Sequence, residues 1–220
     1  MLPPDKEELK NLTEYLSHSI KKNGVKIRLG EEFTEATLQR DKPEVVVVAT
    51  GRTAPQPDIP GADGPNVVTT WDVLTGAKEV GERVLIVGGS RSGPETADFL
   101  NRKGKKITIF DKDRKVGIGL GPTSRWCYML KFYQSGVKME KETEVVEITP
   151  KGVMVSRKGG APQLVEGDTV VLATGSKPNN ALAGKLKGKV WGRFVTIGDC
   201  VEPHGIPEAM EVAYKAACDI

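Results

Sequence analysis

Apolar residues in the first quarter of the chain follow two different periods. Over residues 7–22 they recur every three or four positions, which predicts an amphipathic helix that ends at Gly24. These positions are Leu9, Leu12, Leu16 and Ile20. A short strand is expected next, at residues 25–29. Residues 44–49 contain four consecutive valines, which is typical of a strand buried on both faces of a parallel sheet.

The rest of the chain alternates short apolar runs with helical periods, which favours an α/β fold with a parallel sheet. Residues 52–65 carry four prolines and two glycines and are predicted to be a connector. The elements predicted after it are a strand at 83–87, a helix through Arg102, a strand at 106–110, a glycine-rich loop at 115–122, a helix at 124–135, a strand near Val137, an antiparallel meander around Val145, Val153 and Leu164, a buried strand at 169–173, a strand within 192–199 and a helix at 207–217.

One stretch of this pattern occurs twice. A helix ends in Asn/Ser-Gly-Val-Lys at residues 23–26 and again at 135–138, and each copy later closes a valine-rich strand with Ala-Thr-Gly. The two closing sequences are Ala49, Thr50, Gly51 and Ala173, Thr174, Gly175. The first copy has no counterpart of residues 83–111. We therefore expect the sequence to be a fragment of a longer protein, with that half preceding Met1.

Composition narrows the class of protein. No apolar run approaches the roughly 20 residues that cross a bilayer, and residues 1–8 lack the pattern of a secretory signal. We therefore expect a cytoplasmic protein without a membrane partner. The 32 basic and 29 acidic residues are scattered and give a net charge of +3, which does not favour nucleic acid as a partner.

Cysteine spacing excludes two kinds of chemistry. Cys127, Cys200 and Cys218 lie far apart and form neither a redox dithiol nor a metal-ligand pattern. No metal site is expected, and buried or idle thiols are the simplest interpretation.

The strongest local motif lies between the predicted strand 83–87 and the following helix. It comprises Gly88, Gly89, Ser90, Arg91, Ser92 and Gly93. A dinucleotide fingerprint requires a glycine for the tight turn, a small middle residue near the pyrophosphate and a glycine for helix–strand packing. Ser90 departs from the usual middle glycine. An ordinary strand–helix turn is the alternative interpretation, which the context on both sides and the repeat make weaker.

Charged residues at the end of the next strand bear on the type of nucleotide. Asp111 lies about 20 residues beyond the motif, where an acid binds the adenosine ribose and favours NAD. Lys112 and Arg114 follow at once and are able to pair with the extra phosphate of NADP. Exposed loop charges are an equally good interpretation of these two cations, so the choice between NADH and NADPH stays open.

A Gly-Asp pair, Gly198 and Asp199, follows the strand predicted near the end of the chain. An acid at that edge is able to accept hydrogen bonds from a polyol, and the N-terminus of the helix at 207–217 would stabilise negative charge on a bound ring. The Gly-Asp pair indicates a binding site only because it follows two strands that end in Ala-Thr-Gly.

Taken together, these residues resemble the flavoproteins in which an NAD(P) domain is inserted into an FAD domain. The whole chain is similar to the C-terminal region of the NADH:flavin oxidoreductases of the Old Yellow Enzyme type, a group that includes 2,4-dienoyl-CoA reductase and trimethylamine dehydrogenase. The distinguishing stretches are residues 3–8, 121–126 and 197–203. The resemblance implies a Rossmann-like NAD(P) domain at 76–188 inside a partial FAD-type domain formed by 1–75 and 189–220.

The resemblance also implies how the intact enzyme would work. NAD(P)H would reduce FAD, and electrons would continue through an iron–sulfur cluster to FMN in a missing N-terminal barrel, where an unsaturated, enoate-like substrate is reduced. The nicotinamide nucleotide would bind at Gly88, Gly89, Ser90, Arg91, Gly93, Asp111, Lys112, Ala173, Thr174 and Gly175. FAD would bind at Ala49, Thr50, Gly51, Gly198 and Asp199.

The resemblance has limits that affect this chain. The glycine-rich loop with which the family grips FAD is absent from the sequence, so the chain alone is expected to bind FAD weakly or not at all and to be inactive. No acid–base catalyst is expected, because hydride transfer between rings needs positioning rather than a proton donor.

Two other functions compete with this interpretation. A non-catalytic module that holds ADP, as trimethylamine dehydrogenase does in the corresponding region, is the main alternative, and Ser90 is the feature most compatible with it. A disulfide reductase of the same architecture would need a pair of cysteines near the flavin, and the sequence has none.

Overall fold

The computed structural model describes residues 3–220 of the chain; predictions about Met1 and Leu2 lie outside the described residues. The chain forms two compact units. Unit 1 comprises Met1–Ser17 and Gln56–Gly175, and unit 2 comprises His18–Pro55 and Ser176–Ile220. These bounds differ from the predicted 1–75, 76–188 and 189–220, and the assignment of a cofactor to each of those stretches stays a prediction.

Helices and strands alternate through most of the chain. The helices are α1 Leu9–Lys22, α2 Glu35–Asp41, α3 Thr70–Thr75, α4 Ser92–Asn101, α5 Pro122–Ser135, α6 Ala181–Leu186 and α7 Ile206–Cys218, with a 3₁₀ turn at Gly198–Cys200. The strands are β1 Val45–Val48, β2 Arg52–Thr53, β3 Val67–Thr69, β4 Arg83–Val87, β5 Lys106–Phe110, β6 Lys138–Glu140, β7 Thr143–Thr149, β8 Gly152–Arg157, β9 Gln163–Glu166, β10 Thr169–Leu172, β11 Lys177–Pro178 and β12 Arg193–Thr196. The predicted α/β class is confirmed.

Unit 1 is built on a parallel sheet with the strand order β3-β10-β4-β5-β6. Successive residues of β4 point to opposite faces, so Val84 and Ile86 pack with the helices α4 and α5, whereas Leu85 and Val87 pack with the meander β7–β9. Because both faces are covered, β4 is apolar throughout its buried length, as the sequence predicts.

The strand order reverses beside β4. The chain runs from β4 through α4 to β5 on one side, and it returns much later as β10 on the other side. In open α/β sheets, ligands bind where such neighbouring strands end and their connections diverge. The carboxyl ends of β10, β4 and β5 are therefore the expected binding edge of unit 1.

Unit 2 has a smaller core around the parallel pair β1 and β12. The prediction that the valine run is buried on both faces is wrong. Val46 and Val48 are 8% and 3% exposed and belong to this core, whereas Val47 is 42% exposed. A two-stranded sheet packed on one face leaves alternate side chains uncovered.

Two further predictions about unit 2 need correction. Residues 25–29 form no strand, and Leu29 is 90% exposed. An extended segment becomes a strand only when a neighbour pairs with its backbone, and no described strand does so here. The connector at 52–65 also contains a short strand, β2, which pairs antiparallel with β11.

Short capped helices were missing from the prediction. Thr34 caps α2 and Thr69 caps α3, and in each case the third helical residue closes a capping box. In α3 the partner of Thr69 is Asp72, a Thr-x-x-Asp signal that the sequence does contain. Helices of six or seven residues have too few apolar repeats for their period to be recognised.

Residues 3–220 contain neither a membrane-crossing helix nor a cluster of metal ligands. No helix there combines the length and apolar character that a membrane crossing requires. No group of three or more His, Cys, Asp or Glu side chains is arranged to hold a metal ion in the same residues.

A tyrosine on α5 is the most strongly perturbed acid of the unit 1 core. The ring of Tyr128 is 8% exposed and lies 5.9 Å from that of Phe132, measured between centroids. Burial raises the pKa of Tyr128 from 10.0 to about 12, and the carboxylates of Glu95, Asp98 and Asp5 add to this effect. Folding therefore favours the neutral phenol.

We expect Tyr128→Phe to reduce the fall in the free energy of unfolding at high pH. A phenol held neutral stabilises the fold fully below about pH 10, and this contribution is lost as pH rises through about 12. In urea titrations at about pH 9 and about pH 12, wild type should lose about 2 kcal/mol more than Tyr128→Phe. Tyr133, on the same helix but 86% exposed, supplies the control Tyr133→Phe. An identical response of the two variants would contradict the assignment.

Candidate functional site

The motif after β4 forms a tight turn at the binding edge of unit 1. Gly88 has a φ of 104°, which side chains rarely adopt, and its N–H donates to the carbonyl of Phe110 at 2.9 Å. A Cβ on Gly88 would lie 2.5 Å from the carbonyl oxygen of Ala173. The turn is therefore confined between the ends of β10 and β5, and only glycine satisfies it.

The helix that follows begins directly against this turn. A Cβ on Gly93 would lie 2.0 Å from the carbonyl oxygen of Gly88, far inside contact distance. Gly93 thus lets α4 approach the end of β4, the packing role that the sequence analysis gave it.

Backbone donors are free at the start of α4. The amides of Ser90 and Arg91 donate no backbone hydrogen bond within residues 3–220, and both residues are exposed. They lie at a helix N-terminus, where unpaired N–H groups and the helix dipole favour an anion such as a phosphate. The local chemistry of this turn therefore suits a pyrophosphate.

The glycine-rich loop between β5 and α5 supports the turn from its other side. The amide of Gly117 donates to the carbonyl of Gly89 at 2.6 Å, and Nε of Arg91 donates to the carbonyl of Gly119 at 2.8 Å. A Cβ on Gly119 would lie 2.7 Å from Oγ of Ser90. The sequence showed a glycine-rich loop here but no reason to connect it with the motif.

Asp111, predicted to bind a ribose, also supports the turn. Its carboxylate accepts hydrogen bonds from the amides of Gly89, at 2.8 Å, and Asp113, at 2.9 Å. A Cβ on Gly89 would lie 2.6 Å from Oδ2 of Asp111, so the missing side chain permits this contact. The acid thereby fixes the turn to the end of β5.

A cavity of ≈ 580 Å³ opens at this edge, within the roughly 300–1,000 Å³ of small-molecule sites. It is lined by the residues Asp58, Ile59, Val87, Gly88, Gly89, Ser90, Phe110, Asp111, Lys112, Asp113, Thr143, Glu144, Val145, Val146, Ala173, Thr174 and Gly175. Sequence reasoning missed the contributions of the connector, at Asp58 and Ile59, and of β7. No local motif marks them, because they reach the cavity only through the tertiary fold.

The second Ala-Thr-Gly sequence lines the same cavity. Ala173 is 4% exposed, and its amide donates to the carbonyl of Val87 at 2.8 Å, which continues the pairing of β10 with β4. Thr174 and Gly175 are exposed at the mouth. All predicted nicotinamide-side residues except Arg91 and Gly93 thus line one cavity, and those two shape its turn.

The first Ala-Thr-Gly sequence lies at the corresponding edge of unit 2. The Thr50 hydroxyl donates to the backbone carbonyl of Asn179 at 2.6 Å, and the backbone N–H of Asn179 donates to the carbonyl of Gly51 at 3.0 Å. Since β1 and β12 are parallel neighbours, Ala49 and Asp199 leave the sheet at the same edge. The predicted flavin-side residues are therefore brought together within unit 2.

Asp199 is held from two directions. Its Oδ2 lies 3.4 Å from Nε of Arg52, and its Oδ1 accepts the backbone N–H of His204 at 3.1 Å. A cavity of ≈ 210 Å³ between Asp199, Glu208 and neighbouring residues adjoins the start of α7. His204 acts through its backbone in a turn, and Cys200 is buried in the core.

Comparisons with known proteins relate the chain to oxidoreductases. The profile of the family described as pyridine nucleotide-disulphide oxidoreductase matches residues 7–217. A metal reductase of Desulforamulus reducens is 31% identical over 98% of this chain and 37% of its own length. An NADH oxidase of Thermoanaerobacter brockii is 32% identical over 99% of this chain and 34% of its own.

A solved structure also matches nearly the whole chain. A 2-naphthoyl-CoA reductase in complex with 2-naphthoyl-CoA is 28% identical, with a TM-score of 0.93 over 99% of this chain and 33% of that one. The chain thus spans about a third of the length of these relatives.

We expect Gly93→Ala to destabilise unit 1 and to distort the turn. The new Cβ meets backbone rather than a flexible side chain, so α4 must move, at a cost of about 1–3 kcal/mol in the free energy of unfolding. Gly121→Ala is the matched control, because Gly121 has a φ of −60° and open space around its Cβ. Denaturant unfolding should separate the two variants. Equal stability would show that the close approach of α4 is not required.

Proposed function

Because the chain belongs to the pyridine nucleotide-disulphide oxidoreductase family, we propose that its unit 1 cavity binds NAD(P)H and positions the nicotinamide for hydride transfer to a flavin. The relatives and structural neighbours are oxidoreductases, and the domain belongs to a flavin oxidoreductase family. This family implies both FAD and a pyridine nucleotide as cofactors.

The proposal rests on the arrangement of Gly88, Gly93 and Asp111 at the edge of the cavity. At two positions a Cβ would collide with backbone, which brings helix and strand ends together, and the amides of Ser90 and Arg91 in the same turn have no backbone acceptor within residues 3–220. An acid lies at the end of the next strand, where the ribose of a dinucleotide is bound. A structural turn alone would need neither the free amides nor a cavity of this size.

The residues fit a pyridine dinucleotide. The amides of Ser90 and Arg91 would hold the pyrophosphate, and Asp111 would accept hydrogen bonds from the adenosine ribose. Ala173, Thr174 and Gly175 would line the nicotinamide end of the cavity. When bound, the reduced nicotinamide supplies a hydride. The chain itself binds, orients and shields from water, and no side chain here is needed as a proton donor.

In unit 2, we propose that Thr50, Asp199 and their neighbours form part of an FAD site. The carboxylate of Asp199 is oriented by Arg52 and by the His204 amide, and it is able to accept a hydrogen bond from a flavin side-chain hydroxyl. The adjoining cavity of ≈ 210 Å³ is smaller than the roughly 300–1,000 Å³ of complete ligand sites. These residues therefore fit one portion of FAD.

For the whole protein, we propose an NADH:flavin oxidoreductase of the Old Yellow Enzyme type. Relatives about three times as long as the chain support a further domain, which would be a barrel that carries FMN and an iron–sulfur cluster and reduces an enoate-like or dienoyl-CoA-like substrate. The resemblance at residues 3–8, 121–126 and 197–203 favours this group.

Titration of the purified chain with NADH tests the first proposal. We expect saturable binding to wild type. Asp111→Ala should weaken it about tenfold or more, because the ribose loses a carboxylate acceptor and the turn loses the hydrogen bonds that this carboxylate accepts. Asp63→Ala is the control, since Asp63 is an exposed acid outside the cavity with no ion pair in residues 3–220. Absence of NADH binding to wild type would contradict the proposal.

The same titration with ADP separates the redox function from a structural one. If the nicotinamide occupies the end of the cavity at Thr174, NADH should bind several-fold more tightly than ADP. Equal affinities would favour the non-catalytic module that holds an adenine nucleotide.

We expect the chain by itself to retain little or no FAD. The small cavity at Asp199 offers contacts to only part of that cofactor, so most of the binding free energy is absent. The measurement is the visible spectrum after incubation with excess FAD and removal of free cofactor. A retained flavin spectrum at one equivalent would show that the residues at Thr50 and Asp199 form a sufficient site.

A further inference from the structure

A second cavity adjoins the ribose end of the first one and is far more polar. It measures ≈ 470 Å³, and its lining includes three basic and three acidic side chains. These are Lys112, Arg114, Lys158, Asp113, Glu142 and Glu144. We call it the rim cavity. Since Lys112, Asp113 and Glu144 line both cavities, a ribose held at Asp111 would have its 2′ position beside the rim cavity.

One acid in the rim cavity forms ion pairs with two of its cations. Oε1 of Glu142 lies 3.2 Å from Nε of Arg114, and Oε2 lies 3.7 Å from Nζ of Lys158. Each carboxylate oxygen therefore faces a different cation. Lys112, in contrast, forms no ion pair within residues 3–220.

The backbone fixes Glu142 in this position. It has a φ of 49°, a left-handed conformation that residues with a side chain rarely adopt. Its amide donates to the carbonyl of Asp113 at 3.1 Å, and its carbonyl accepts from the amide of Lys158 at 3.2 Å. Glu142 thus joins the loop after β5 to the turn after β8, and its carboxylate stays between the two cations.

We propose that Glu142 is a specificity-determining residue that makes unit 1 select NADH over NADPH. This inference rests on the proposed function of the unit 1 cavity. The two nucleotides differ only in a 2′-phosphate, which carries up to two negative charges and needs cations to replace its hydration. Glu142 occupies Arg114 and Lys158 and adds its own repulsion, so Lys112 is the one rim-cavity cation without an acidic partner within residues 3–220.

Removing the charge of Glu142 should therefore reverse the selection. Glu142→Gln leaves the rim cavity with one net positive charge and frees both cations. We expect the dissociation constant for NADPH to fall about tenfold, while that for NADH changes less than about twofold. The gain for NADPH should shrink at high ionic strength, because the side chains of Arg114 and Lys158 are 87% and 75% exposed and salt screens exposed charges.

The experiment is calorimetric titration of the chain with NADH and with NADPH. Glu147→Gln is the matched control, because Glu147 is an exposed acid on β7 outside both cavities and without an ion pair in residues 3–220. Adding Arg114→Ala to Glu142→Gln should remove most of the gain for NADPH. If Glu142→Gln does not fold, Glu142→Asn serves instead, since asparagine tolerates the left-handed conformation.

The outcomes separate the two proposals. If wild type binds NADH but Glu142→Gln binds NADPH no more tightly than wild type does, the proposed role of Glu142 is wrong. The proposed function of the unit 1 cavity then still stands. The role of Glu142 is also contradicted if wild type prefers NADPH, or if Glu147→Gln increases the affinity for NADPH as much as Glu142→Gln does. If wild type binds neither nucleotide, the proposed function itself fails and this inference falls with it.

Discussion

Helix α4 begins where it does because Gly93 has no side chain. A Cβ there would lie 2.0 Å from the carbonyl oxygen of Gly88, and a Cβ on Gly88 would lie 2.5 Å from that of Ala173. These two contacts bring the ends of β10, β4 and α4 together. The amides of Ser90 and Arg91, which follow Gly89 in the turn, have no backbone acceptor within residues 3–220, and Ser90 lines the cavity of unit 1. A substitution at either glycine therefore changes the packing and the binding surface together.

Asp111 makes this arrangement rigid before any ligand is present. Its carboxylate binds the amides of Gly89 and Asp113, so the turn is fixed to the end of the neighbouring strand. A preorganised site loses less conformational entropy on binding, which increases affinity and helps to position a bound ring for reaction. In the proposed function, the same acid supports the turn and meets the ribose.

Unit 2 repeats the design on a smaller scale. Ala-Thr-Gly again ends a valine strand, and Asp199 leaves the neighbouring strand at the same edge. Here the backbone carbonyl of Asn179 accepts from the Thr50 hydroxyl, and the guanidinium of Arg52 lies beside the carboxylate of Asp199. The cavity of unit 2 is smaller, which in the proposed function suits one portion of FAD.

The sequence by itself determined the elements that carry a local signal. Most predicted helices and strands of 83–217 lie within two residues of their observed bounds, because apolar period, glycine turns and strand length act over neighbouring residues. The glycine motif and Asp111 were recognised for the same reason. Only the tertiary structure decided that residues 25–29 form no strand and that Val47 faces outward, since pairing and burial depend on what lies alongside. It also decided the pairing of Arg114 with Glu142, because residues 28 positions apart meet only after the strands between them have folded.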